Sequence, residues 1–326
     1  RKRRTLKSKL IIMAGLVSLP LVLAVCLALG STTIGPGDLN TDLGRAILSL
    51  RLTRVLTGFL VGASLACAGA VLQGLLRNPL AEPYILGVSG GAALGAALAI
   101  LGGWAGLMLP SCAFAGGLAA LALVYGLAQQ NGVPSVYGLL LSGAIINALC
   151  SSLLMLIIST INVEGLHSIT WWMLGNLQGP SKPLLKAGWA INALGMIGLW
   201  LMAREFNALT LGRDMAHHLG VRTGRVVSLG MALSALLAAV GVAMAGLIGF
   251  VGLIVPHQVR NWVGPDLRRL IPLSALAGGM FLVICDTLAR VVFAPVEIPV
   301  GVITALLGGP FFLLLLRRRR KSGWLE

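Results

Sequence analysis

The chain has 326 residues, of which 57% are hydrophobic and only 11% charged, with a mean hydropathy of +0.92. Soluble globular chains carry about 25% charged residues, so an ordinary soluble domain is excluded, and no polar stretch is long enough to build one. The formal net charge of +15 sits mainly at the ends of apolar segments, where anionic lipid and topology account for it and a clustered nucleic-acid footprint does not arise.

Apolar runs of about 17–25 residues, the length that crosses a bilayer as helix, recur along the chain. Ten spans are predicted, at about 10–30, 52–76, 86–103, 111–128, 136–158, 187–203, 226–246, 249–262, 272–294 and 300–316. The first follows a basic start, Arg1 to Lys9. Its apolar stretch is too long for the core of a signal peptide and reads as a retained span. The second opens on Arg51-Leu52-Thr53-Arg54. The eighth is short and rich in Gly and Pro, as a broken or half helix would be.

With the N-terminus placed inside, nineteen of the 25 Lys and Arg fall on the inner side. That bias predicts an even number of spans, both termini cytoplasmic, and basic tails at 1–9 and 317–326 on a single membrane domain, 1–326. Arg51 and Arg54 then lie on the outer side, against the usual bias. An acidic partner docking from outside is the simplest reason for them to be there.

Two connections stand out. Between the sixth and seventh spans, Asn207–Val221 carries Met215, Ala216 and Leu219 at helical spacing, with Gly220 placed as a C-terminal stop. A short amphipathic helix at the cytoplasmic surface is predicted, either resting on the membrane interface or docking a soluble partner. Between the fifth and sixth spans, Trp171 and Trp172 follow His167-Ser168-Ile169-Thr170. They predict a short surface helix with the indoles at headgroup level.

Rows of small residues, such as Gly58 with Gly62, and Gly87, Gly91 and Gly95, permit close helix approach and carry little functional specificity. Charge inside the spans is sparse. Asp286 and Arg290, four apart, can pair on one helix face. Asn147, Ser151 and Ser152 are neutral candidates for a translocation path, or simple helix–helix hydrogen bonds. Cys26, Cys67, Cys112, Cys150 and Cys285 have no metal or disulfide spacing. No metal site is expected, and no set of catalytic side chains is evident. No GxxxxGK[ST] motif occurs, so ATP would have to be hydrolysed by another chain. An ion-driven secondary carrier would need a titratable group such as Asp286.

Several stretches together resemble the FecCD-type permeases of ABC importers. They are Arg51–Arg54, Gly62-Ala63-Ser64-Leu65-Ala66, Gly69-Ala70-Val71-Leu72-Gln73, Arg77-Asn78-Pro79-Leu80-Ala81-Glu82-Pro83, Leu86–Gly91, Gly249–His257 and Glu297–Pro310. The resemblance runs over nearly the whole chain. It implies an all-α type II importer permease fold with about ten transmembrane helices per subunit, in a bacterial or archaeal cytoplasmic membrane. It further implies a homodimer with a path on the two-fold axis, two cytoplasmic ATPase subunits that hold ATP and Mg, and a periplasmic or lipid-anchored binding protein. The chain itself would carry no cofactor. The family's cargoes are iron–siderophore complexes, haem and cobalamin-type corrinoids. By the same resemblance Arg51, Arg54 and Arg290 would meet acidic residues of the binding protein. Leu211, Met215, Ala216 and Leu219 would supply apolar contact to the ATPase, with Arg213 at its rim. Thr53 departs from the family pattern, in which Pro is frequent at that position.

Overall fold

The computed structural model describes residues 15, 17–30, 41–130, 133–178 and 181–320. Of the basic tails expected at 1–9 and 317–326, residues 1–9 and 321–326 lie outside them, and 317–320 continue α13. The helices are α1 (Val17–Ala28), α2 (Asp42–Leu75), α3 (Val88–Leu101), α4 (Met108–Leu127), α5 (Val136–Thr160), α6 (Val163–Met173), α7 (Lys182–Leu201), α8 (Ala203–Thr210), α9 (Arg213–His218), α10 (Thr223–Ala245), α11 (Val251–Val263), α12 (Leu267–Val291) and α13 (Val300–Arg320). Each predicted span contains a helix. Six of the helices are individually long and apolar enough to cross a membrane.

The bundle is organised around α2. Its apolar residues are spread over all sides, and a helix of that kind must be buried all round. It packs against α12, α10, α11 and α7. It meets α12 backbone to backbone at Gly62 and Gly278, where a methyl group on either residue would collide with the other's carbonyl. Gly69 meets the backbone of Gly252 on α11 in the same way. Dispersion between backbones at such short range substitutes for the hydrophobic driving force that lipid does not supply.

The half helix expected near residue 250 is a break between α10 and α11. Gly246 (φ 70°) ends the first and Phe250 (φ 69°) precedes the second. Backbone groups released by such a break need partners in a membrane protein. The Ile248 N–H donates to Tyr84 Oη (3.3 Å) and the Phe250 N–H to Glu82 Oε1 (2.8 Å). Glu82 stands in the connection after α2, and burial raises its pKa against the lowering effect of the Phe250 N–H. Its side chain is thus a partly buried acceptor for a backbone N–H at the break.

Candidate functional site

At one end of the bundle α2 carries Arg51 and Arg54 one turn apart, and α12 carries Asp286 and Arg290. The Arg54 fork grips Asp286: Nε lies 2.9 and 3.0 Å from the two carboxylate oxygens, and Nη2 2.9 Å from Oδ1. Its Nη1 reaches Glu297 Oε2 at 2.7 Å, an oxygen that also accepts from Gln178 Nε2 at 3.1 Å. Asp286 is shared with Arg290, whose Nε lies 3.1 Å away. The pairing of Asp286 with Arg290 foreseen from their spacing is present, and Arg54 joins it.

The same arginines finish α1. A helix leaves its last carbonyls without intrahelical donors. Arg51 Nη1 donates to Leu27 O (3.1 Å) and Ala28 O (2.9 Å). Arg290 donates to Leu29 O (3.1 Å) and Cys26 O (3.2 Å). Positive charge at this C-terminus also matches the helix dipole. The expectation of outward-facing guanidinium groups awaiting a foreign carboxylate thus meets a different arrangement. Arg51 and Arg290 are 6% and 2% exposed, and the acids beside Arg54 belong to the chain itself. Glu297, 24% exposed, is the cluster's most open acid.

At the opposite end the predicted amphipathic helix over 207–221 is two helices. Gly212 (φ 131°) divides α8 from α9, and Gly220 (φ 79°) stops α9 as expected. On α8, Ala203, Phe206 and Leu209 face the core. Leu211, Met215 and Leu219, four residues apart in turn, are exposed. Ala216 corrects the predicted contact face: it is fully buried, one helical step round from Met215. Arg213 opens α9, and its side chain lies outside the described set.

This end is fastened to the central helices. Arg77, just past α2, donates from Nε and Nη2 to Leu209 O at 3.3 and 3.0 Å. Asn207 donates to Asp266 Oδ1 (2.7 Å) and accepts from the Leu267 N–H (2.9 Å). Asp266 also caps α12 by accepting from the Arg268 N–H (3.1 Å). Asn207 and Asp266 were not singled out from the sequence. The Asp before an apolar helical run was the available signal.

The neutral path candidates divide. Asn147 is engaged between elements, accepting from the Gly90 N–H (3.0 Å) and donating to Tyr84 O (3.2 Å). Ser151 and Ser152 lie on the exposed face of α5, where Ser152 donates to Ala148 O. None of the three lines the cavity on the Arg54 side of the bundle. That cavity, about 870 Å³, lies among the 103–110 loop, α6, the start of α7 and the end of α10, and is lined by Trp104, His167, Trp171, Trp172, Asn176 and Gln178 among others. Trp171 and Trp172, predicted as headgroup anchors, stand in its wall. Gln178 joins it to the Arg54 cluster through Glu297.

Comparison with known proteins adds independent findings. Residues 17–318 match the FecCD transport family. The chain is 46% identical over 265 residues to the cobalamin import system permease protein BtuC of Halobacterium salinarum, covering 81% of this chain and 71% of that protein. It is 41% identical over 312 residues to the hemin transport system permease protein HmuU of Yersinia pestis, covering 90% and 92%. A solved structure described as a metal-chelate type ABC transporter in an inward-facing conformation superimposes with a TM-score of 0.86 at 33% identity, covering 94% of this chain and 99% of that one.

Proposed function

The chain belongs to the FecCD transport family, and on that premise we infer that it is the membrane permease subunit of an ABC importer, moving an iron chelate or a cobalamin-type corrinoid across the cytoplasmic membrane. The observation that carries this is the family match over residues 17–318, with relatives named for cobalamin and hemin import that align over most of their own length. The cargo comes from those relatives and from the neutral lining of the cavity. Such a lining suits a bulky solute that is handed on, not bound tightly.

In this reading both termini are cytoplasmic and two copies of the chain form the conduit. The Arg54 end faces outward and receives a substrate-binding protein. Arg54, 11% exposed and beside the more open Glu297, is the guanidinium that a partner's carboxylate reaches first. Bidentate pairing there would orient the partner and speed its arrival more than it would tighten the complex. The other end seats in a cytoplasmic ATPase subunit through Leu211, Met215 and Leu219, with Arg213 beside them and the buried Ala216 and the turn at Gly220 holding their backbone. ATP and Mg belong to that subunit. An ion-coupled carrier is disfavoured because Asp286, the titratable group it would need, is held by two arginines.

Reconstitution in liposomes tests the assignment. Uptake of hemin, cyanocobalamin or a ferric hydroxamate should need the ATPase subunit, ATP and the binding protein together. Uptake by this chain alone, driven by an ion gradient, would overturn it.

A further inference from the structure

The 870 Å³ cavity is built in a way that narrows what it admits. Four of its lining residues, His167, Ser168, Trp171 and Trp172, occupy positions i, i+1, i+4 and i+5 of α6, which is one face of a helix. That face is held from behind. Ile169, 1% exposed, is buried in an apolar cluster with Ala93, Ala97, Leu154 and Ile157. Asn162 caps the helix by accepting from the Gly165 N–H at 2.9 Å. Another wall brings Trp104 on a loop turned by Gly103 and Gly106, with φ of 68° and 66°.

Three indoles offer extended flat apolar surface, against which a planar conjugated ring packs well. Among the described residues no charged side chain lines the cavity, so an anionic group lodged deep in it would lack a counter-charge there. Its volume lies within the range of about 300–1,000 Å³ typical of pockets for small molecules. Among the described lining residues His167 and Met244 carry side chains that can ligate a metal, and imidazole nitrogen suits ferric iron better than a soft thioether does. The His167 ring centroid lies 5.8 Å from that of Trp171, with the two planes tilted by 38°, so a rotation of the imidazole about its side-chain bonds stands it upright against a ring lodged among the indoles. Imidazole is the commonest metal ligand among side chains and is a usual axial ligand of porphyrin iron. A hexadentate iron chelate has no coordination position left for it, nor has a corrinoid whose two axial positions are filled.

Resting on the importer reading above, we propose that this cavity is a way-station for a flat metal macrocycle with an open axial position, an iron porphyrin, and that His167 supplies the axial imidazole to its metal. The step is a ligand exchange: a nitrogen lone pair of neutral His167 replaces a weakly held axial water, and the iron stays ferric. Lys182, exposed and next in sequence to the lining Ser181, places positive charge near the rim, where the porphyrin's carboxylates can remain in water.

The test titrates hemin into the nanodisc-embedded permease and reads visible absorption and electron paramagnetic resonance. Wild type should give the signature of imidazole-ligated ferric haem. His167→Ala should lose it, and added imidazole should restore it. His218→Gln, on α9 at the far end, should keep it. Trp104→Ala should keep the ligation but weaken binding roughly tenfold, the equivalent of about 1.4 kcal/mol. Cyanocobalamin and a ferric hydroxamate should give no change in metal spectrum. A His167→Ala spectrum identical to wild type, or no imidazole signature in wild type, overturns the proposal. If ATP-driven uptake of cyanocobalamin or the hydroxamate persists in that case, the importer reading survives alone. Ligation by His167 without ATP-driven uptake of any of the three cargoes would instead keep the metal site and remove the importer.

Discussion

Asp286→Asn isolates the buried charge cluster. The substitution keeps the shape of the side chain and deletes the negative charge that two guanidiniums share. Arg54 loses its paired contacts at 2.9 and 3.0 Å but retains Glu297 at 2.7 Å. Arg290 keeps only the helix carbonyls and Thr287 as acceptors. Removing one partner of a buried pair costs about 3–5 kcal/mol. The surviving Glu297 contact places this case near the lower figure. For a chain of this size each kcal/mol moves the melting temperature by about 2 °C, so a drop of roughly 6 °C is expected. Thermal unfolding of the detergent-purified protein measures it. The double variant Arg54→Gln with Asp286→Asn should melt higher than the two separate losses add up to, because the interaction has already been removed. A melting temperature within about 1 °C of wild type for the single variant, or strictly additive losses in the double, would refute the reasoning.

The remaining predictions concern the other end and the helix break. Leu219→Asp should leave the melting temperature close to wild type, because the side chain is exposed, yet uncouple ATP hydrolysis from uptake in liposomes. Normal coupling would dismiss α9 as the ATPase contact. Arg77→Ala frees Leu209 O and should reduce coupling without lowering the amount of ATPase that co-purifies. Equal loss of both would mean that it merely holds the fold. Glu82→Ala leaves the Phe250 N–H without its acceptor and should cost about 1–3 kcal/mol, whereas Glu82→Gln keeps an acceptor oxygen and should cost little. Burial holds the folded-state pKa of Glu82 above its ordinary value. Its contribution to stability is therefore greatest at low pH and is lost as pH rises through the folded-state value. Melting curves across about pH 5–9 should show that slope diminished in Glu82→Gln, and an unchanged slope would assign it to another group.

The spans were legible because apolar length is dictated by the bilayer and needs no tertiary information. The break before α11 was legible for a related reason: the eighth span is too short to cross and is rich in Gly and Pro. Asp286 with Arg290 was within reach because helical spacing is local. The partnership of Asp286 with Arg54 was not, since it joins positions 232 apart. Nor was the capping of α1 by Arg51 and Arg290, because a carbonyl that lacks a donor leaves no trace in residue identity. The burial of Ala216 turns on a single helical step that apolar spacing alone does not resolve. Trp171 and Trp172 fit both a headgroup and a cavity wall by composition, and only the approach of the 103–110 loop distinguishes the two.

The glycine contact between α2 and α12 has a mechanical consequence. With no side chains between them at Gly62 and Gly278, the two helices have no soft layer in which to slide. Arg54–Asp286 rivets them at one end, and α8 is bolted to both at the other through Arg77 and Asp266. The pair is then a stiff lever. Its longer member has 34 residues, about 50 Å at 1.5 Å per residue, so a tilt of only about 5° at the α8 end swings the far tip by about 4 Å.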